Sequence, residues 1–251
     1  MQPQPQPQSK APHQQPALVF GGSRGIGAAI TQRLANAGHP TAITYVSRPD
    51  KANALLANLH AQGRQALAIQ ADSADANAIA TAVKQATAAF GPLHIAVVNA
   101  GLYSGAPLAD FPLPTLDQML AVNVRGVFLA IQAAAAHMQD GGRIVTIGSN
   151  TAVRSGTVGS SVYAMTKAAV ATLVRELSLD LAPRRITINN IQPGPIETDI
   201  TTDFLDAAIA RSPSKRVGQP EEVAALVAYL TGDEAGYMTG ASLTIDGGWV
   251  V

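Results

Sequence analysis

The sequence predicts one α/β domain, a parallel sheet with helices on both faces. Three observations carry this. From Ala17 onward short apolar runs alternate with longer, alanine-rich amphipathic stretches, the pattern of strand–helix–strand units. The apolar runs are mostly unbroken by polar residues, as a strand covered on both faces requires. No linker-like segment or long repeat divides the chain after Ala17, so residues 17–251 read as a single domain.

The first strand is expected at Leu18–Phe20, followed by a helix over Ile26–Ala37 that stops at Gly38. Thr41–Val46 and a helix over Lys51–Gln62 come next, ended by Gly63; then Ala66–Ala71 and a helix over Ala76–Phe90, ended by Gly91. A glycine just past a helix supplies the left-handed residue that closes it. Ile95–Val98 leads into a long helical stretch, Thr115–Met138, and Ile144–Ile147 into Ser161–Leu181. Thr187–Ile191 follows. Pro220 and Glu221 then mark a helix start over Glu221–Tyr229, because proline suits the first turn and an acid there meets the positive helix end. Ser242–Ile245 is the last strand. Alternating Gln and Pro in Met1–Pro16 offer nothing to bury, so this segment is expected to be a disordered, dispensable tail and no secretory leader.

Composition narrows the function. The chain has 251 residues, 17 Lys plus Arg against 17 Asp plus Glu, and no cysteine. Thiolate chemistry and disulfides are excluded, and a cytoplasmic setting is expected. A net charge of +0 leaves no basic excess for a nucleic-acid backbone. No uninterrupted apolar run reaches the length of a membrane span. The five histidines are scattered without metal-type spacing, so no metal site is expected. Charged residues make up only 14% of the chain, against roughly 25% in an average globular protein, which points to surface hidden in subunit contacts.

The first strand runs into Gly21-Gly22-Ser23-Arg24-Gly25-Ile26-Gly27 and then a helix. Glycines there let the backbone turn tightly and present N–H groups to a pyrophosphate at the helix start. The end of the second strand decides between the two nicotinamide cofactors. An acid would bond the ribose 2′-hydroxyl and repel a 2′-phosphate. This chain reads Thr44-Tyr45-Val46-Ser47-Arg48 with no acid; Ser47, Arg48 and Arg24 are donors for a phosphate. A solvated Arg48, with Asp50 capping the next helix, is the alternative. Beside the glycine turn the phosphate reading is favoured.

Tyr163 and Lys167 stand at i and i+4 on one helical face. An adjacent ammonium is expected to lower the phenol's pKa and make it a usable acid or base. Ser149, just past a strand, places a hydroxyl where α/β sites form. No G-x-S-x-G motif occurs, so an acyl-transfer triad is unsupported.

Together the glycine turn, Asn99-Ala100-Gly101, Asn123, Ser149, Tyr163 with Lys167, Pro193-Gly194 and the Asp246-Gly247-Gly248 ending resemble the short-chain dehydrogenase/reductase family over Ala17 to Val251. The resemblance implies a Rossmann-type doubly wound domain, a seven-stranded parallel sheet and a homotetramer. It implies that Tyr163 protonates a carbonyl oxygen, Ser149 holds that oxygen, Lys167 assists Tyr163 and binds the nicotinamide ribose, and Asn123 holds a water in a relay to Lys167. Asn99 would line the cofactor cleft, Asp72 would contact the adenine, and Pro193, Gly194, Ile196 and Thr198 would run beside the nicotinamide. With Arg24 in the loop, the implied cofactor is NADP(H), and the implied reaction is reversible reduction of a ketone or aldehyde. Two departures stand out. Phe20 replaces the usual threonine before the first glycine, removing one brace of the loop. Ser149 lies fourteen positions before Tyr163 where thirteen is usual; the thirteenth is Asn150, which has no hydroxyl, so Ser149 is taken with a one-residue insertion. A cyclic-dinucleotide-binding regulator on the same fold, and a 3-oxoacyl-carrier-protein reductase, are the rival readings. The second is weakened by Leu129, where a carrier-binding arginine would accompany Arg175.

Overall fold

The computed structural model describes residues 15–199, 201–202 and 205–251. In chain order β1 (Ala17–Phe20) runs into α1 (Gly25–Asn36), β2 (Thr41–Tyr45) into α2 (Pro49–Ala61), and β3 (Ala66–Gln70) into α3 (Ala76–Phe90). After β4 (Leu93–Val98) a continuous helical rod is built from α4 (Leu113–Leu120), a widened π-type stretch Ala121–Gly126 and α5 (Val127–Ala136). β5 (Met138–Ile147) leads to α6 (Ser161–Leu181), β6 (Thr187–Pro193) to α7 (Leu205–Arg211) and α8 (Pro220–Thr231), and β7 (Ser242–Ile245) closes the sheet. All seven strands are parallel, in the order β3-β2-β1-β4-β5-β6-β7, a doubly wound Rossmann-like arrangement.

Strand alternation divides the core into two layers. Leu18 and Phe20 of β1 pack with Ile79 and Val83 of α3, Ile131 of α5 and Val174 of α6. Ala17 and Val19 point the other way, into Ile30 and Leu34 of α1, Leu59 of α2 and Val227 of α8. Each fully buried Leu, Ile or Phe side chain contributes about 1.5–3 kcal/mol, so both faces of the sheet are strongly anchored. The closing glycines Gly38, Gly63 and Gly91 all take positive φ. Asp75 caps α3 by accepting from the N–H groups of Asn77 (2.8 Å) and Ala78 (3.3 Å).

One expected boundary is corrected, and two features go beyond what the sequence announces. The rod ends at Ala136, and Met138 already pairs with Leu93 in the sheet; the alanine run reads as helix past its end because nothing in it breaks the pattern. The segment from Thr201 to Arg216 holds a short helix, α7, that its sequence does not announce. Leu113–Ala136, 24 residues of mean hydropathy 1.6, is long and apolar enough to cross a membrane, although no such length is read from the sequence when Asp117 and Arg125 are taken as interruptions. Here the rod lies against α3, α6 and β4, and Met119, Val127 and Ile131 are buried in the domain.

The expected tail, Met1–Pro16, lies outside the described residues except for Gln15 and Pro16. Those two are attached: the Pro16 carbonyl accepts from the N–H groups of His94 (2.9 Å) and Ile95 (3.1 Å), and the Gln15 carbonyl meets His39 Nδ1 at 3.1 Å. A truncation starting at Gln15 is therefore expected to keep the parent Tm within about 1 °C. One starting at Ala17 leaves buried strand-edge groups unpaired, a loss of about 1–3 kcal/mol, and lowers Tm by several degrees. Thermal melts of the two truncations check this.

Candidate active site

The sheet reverses its winding direction between β1 and β4, which opens a cleft beyond their carboxyl ends. The cleft has a volume of about 830 Å³. Gly21, Ser23, Arg24, Gly25 and Ile26 form its floor, and Asn99, Ala100 and Gly101 leave β4 beside them. The floor is tight. Asn99 Nδ2 donates to the Gly21 carbonyl at 2.8 Å. A side chain on Gly27 would meet that same carbonyl oxygen at 2.0 Å and Asn99 Nδ2 at 2.6 Å. Gly21 adopts φ +74° and is pressed against Ala100. The brace that Phe20 cannot give comes from β2: Thr44 Oγ1 accepts the Gly21 N–H at 2.9 Å. Phe20 instead fills the core. The turn is thus shaped to bring bare backbone and the N-terminus of α1 against an anionic ligand. It fits a dinucleotide pyrophosphate.

Ser149, Tyr163 and Lys167 converge on the same cleft from the end of β5 and the first turns of α6. Lys167 Nζ donates to the Ile147 carbonyl at 3.1 Å and sits 5.6 Å from the centre of the Tyr163 ring. Burial pushes the Tyr163 phenol up to about 12, with the Ser149 hydroxyl pulling the other way. Burial also brings the Lys167 ammonium down to about 8. The expectation that Lys167 lowers the phenol's pKa is corrected. Desolvation dominates the Tyr163 shift, and Tyr163 is held as a neutral phenol, the form that can donate a proton.

Ser149 and Asn150 are separated by their partners. Ser149 Oγ accepts from Thr151 N–H at 3.2 Å and faces the cleft. Asn150 also borders the cleft, with its Nδ2 donating to Asp246 Oδ2 at 3.2 Å, which also accepts from Val250 N–H. Asn123 lies behind the cleft rather than on its wall. Its Oδ1 accepts Leu102 N–H at 2.9 Å and its Nδ2 donates to Leu102 O (2.9 Å) and Thr166 Oγ1 (3.2 Å). Both amide hydrogens are committed, and the side chain braces the β4 loop against α6. The widened stretch Ala121–Gly126 turns this residue inward.

Asp72 and Ser47 border the cleft, as do Pro193, Gly194, Ile196 and Thr198 on the opposite wall. Asp72 Oδ1 accepts Ala74 N–H at 2.8 Å. Arg48 also lines the cleft, but its guanidinium is forked onto Asp50 at 3.0 and 2.7 Å and holds that carboxyl down at about 2. Arg24 sits 3.8 Å from Asp199. Both arginines reach the cleft already sharing their charge with an acid.

Several contributors escape sequence reasoning. Tyr103 stands edge-on to Tyr163, ring centres 5.1 Å apart at 84°. Gln118, Ser155, Thr157, Arg211 and Trp249 complete the far wall. Gln118 lies on α4 and Arg211 at the end of α7, and the others on loops; none of these positions names a partner in the sequence. Because Gly27 has no room for a methyl group, Gly27→Ala is expected to cost about 1–3 kcal/mol through overpacking. That corresponds to roughly 2–12 °C in Tm for a chain of this size, read by calorimetry together with weakened NADPH binding.

Comparison with known proteins agrees with this geometry. A family model described as "Enoyl-(Acyl carrier protein) reductase" matches residues 21–250. The cyclic-di-GMP-binding biofilm dispersal mediator protein of Escherichia coli is 41% identical over 236 residues, covering 92% of this chain and 94% of that one. A short-chain dehydrogenase/reductase from Serratia marcescens superposes with a TM-score of 0.93 at 49% identity, covering 96% of this chain and all of its own. A short-chain dehydrogenase from Burkholderia cenocepacia, solved in complex with NADP, gives 0.91 at 47% identity over 94% and 97% of the two chains. This chain belongs to the short-chain dehydrogenase/reductase family.

Proposed function

We propose that this protein is an NADPH-dependent carbonyl reductase, working reversibly between a ketone or aldehyde and its alcohol. The observation that carries the reading is a neutral, half-buried Tyr163 set beside Ser149 and Lys167 in the cleft that the glycine turn opens. NADP(H), when bound, supplies the hydride. Ser149 hydrogen-bonds the carbonyl oxygen and aims it at Tyr163. Tyr163 transfers its phenolic proton to that oxygen as charge develops there. Lys167, charged, holds the nicotinamide ribose and stabilises the phenolate left behind. Asn123 acts as a positioning residue, through Leu102 and Thr166. Arg24, Ser47 and Arg48 receive the 2′-phosphate, and Asp72 the adenine. The setting is cytoplasmic. The assembly is a homotetramer, supported by the exposed Phe128 beside an apolar groove that Val124 and Leu173 line between α5 and α6.

The Escherichia coli relative favours a second reading, that the same cleft takes a cyclic dinucleotide. Calorimetric titration with cyclic-di-GMP, with and without NADPH, tests it. A carrier-protein substrate has less support: Leu129 packs against the core and Arg175 pairs with Glu176.

Tyr163→Phe keeps the ring and loses the acid, so turnover is expected to fall about 10²–10⁴-fold while NADPH still binds. Ser149→Ala falls comparably, and Asn150→Ala only mildly; steady-state kinetics that reverse this order reassign the hydroxyl. Lys167 loses its proton as pH rises through about 8, so ketone reduction should hold from pH 6 to 7.5 and decline above 8. Alcohol oxidation, which needs the phenolate, should rise toward high pH; parallel pH–rate profiles read both. Charge-assisted hydrogen bonds contribute roughly 1.5–3 kcal/mol, so Arg48→Ala should weaken NADPH about tenfold or more and leave NADH nearly unchanged. Asp50→Asn, which frees Arg48, should tighten NADPH, and kcat/KM for both cofactors decides.

A further inference from the structure

The wall of the cleft beyond Tyr163 carries a cation that the hydride and proton chemistry does not use. Arg211 ends α7, and its guanidinium lies over the Trp249 ring with Cζ 4.5 Å from the ring centre. It donates to Thr157 Oγ1 and to the Ser155 carbonyl, both at 3.3 Å. These acceptors are neutral and the bonds are long for an arginine, whose charge-assisted bonds run near 2.7–2.9 Å. The contrast within the cleft is direct. Arg24 and Arg48 each have a carboxylate within 4 Å, whereas Arg211 has none among the described residues. Trp249 backs the guanidinium by a cation–π contact, and a planar guanidinium fork matches a carboxylate's two oxygens. Arg211, Trp249, Thr157 and Ser155 all line the same cleft as Tyr163 and Lys167, so a molecule reacting at Tyr163 shares the cleft with this fork.

We propose that Arg211 is a specificity-determining residue that selects carbonyl substrates bearing a carboxylate, which makes the substrate class the oxo acids. This rests on the reductase reading above. A purely structural Arg211, tying α7 to the Ser155–Thr157 loop, would need no net charge and would treat acids and amides alike.

The test uses matched pairs that differ only in charge. Turnover is compared for 4-acetylbenzoate and 4-acetylbenzamide with NADPH. Binding is compared for 3-phenylpropanoate and 3-phenylpropanamide with NADP⁺ present, read from the fluorescence of Trp249, the single tryptophan of the chain. Because Arg211 is exposed, the lower end of a charge-assisted bond applies, and the acid is expected to be favoured about tenfold in both assays. Arg211→Gln should bring the acid-to-amide ratio close to one, and Arg211→Lys should retain most of the preference. A wild-type ratio near one overturns the proposal. So does a ratio that survives Arg211→Gln while both members of a pair weaken equally. A charge preference in binding that depends on Arg211, with neither ketone reduced, overturns the reductase reading and the substrate class with it, and leaves an anion-binding cleft.

Discussion

The site depends on a steric constraint where three backbone segments meet. β1 turns into α1 directly beside the end of β4, and Gly27 leaves only enough room for the Gly21 carbonyl and the Asn99 amide to bond at 2.8 Å. That contact ties the cofactor turn to the neighbouring strand across the point where the sheet reverses direction. Thr44 supports it from β2. If α1 stood farther off, its N–H groups would not reach the cleft, and the loop carrying Ala100 and Gly101 would lose its anchor. The same closeness continues at Gly101, where a Cβ would stand 3.4 Å from both Asn123 Oδ1 and Lys167 Nζ. Backbone with no side chain therefore links the cofactor end of the cleft to the Tyr163 end.

Burial sets the chemistry of that second end. Lys167 is buried and Tyr163 is half-buried, and each is pushed toward its neutral form. For the fold this is a cost. Lys167 has a folded pKa of about 8 against an ordinary 10.5, so below pH 8 the native state must hold a buried ammonium that the unfolded chain would solvate freely. Its contribution to stability becomes less unfavourable as pH rises from about 8 toward 10.5. The domain carries this strain because two fully packed layers surround the sheet. The functional gain is a phenol that stays protonated at neutral pH beside a lysine poised near it, a pairing that a solvated Tyr/Lys surface pair would not provide.

Legibility in the sequence followed periodicity and local chemistry. Buried parallel strands are unbroken apolar runs and their helices end on glycine, so the order of elements and the site at the strand ends could be read directly. Tyr163 and Lys167 were readable because four-residue spacing on a helix fixes their proximity, and Ser149 because it directly follows a strand. What was not readable depends on three-dimensional competition. Asn150 donates to Asp246, almost a hundred residues later. Thr44 takes over a brace that the local motif lacks. Arg48 finds an acid two residues away. Tyr163 is raised rather than lowered because desolvation is a property of the whole fold. Arg211 and Trp249 meet only through α7 and the C-terminal turn, and no local pattern announces that pairing.

In the proposed function this cleft delivers a hydride and a proton to a carbonyl group. Isotope transfer reads this out: incubate the protein with NADPH carrying deuterium at both nicotinamide C4 positions and an aromatic ketone, then analyse the product by mass spectrometry and NMR. The expected product is an alcohol with one deuterium on the carbinol carbon and an exchangeable proton on oxygen, formed in step with NADPH consumption. Ketone recovered unchanged from a protein that binds NADPH fully, or an alcohol without deuterium on that carbon, would contradict it.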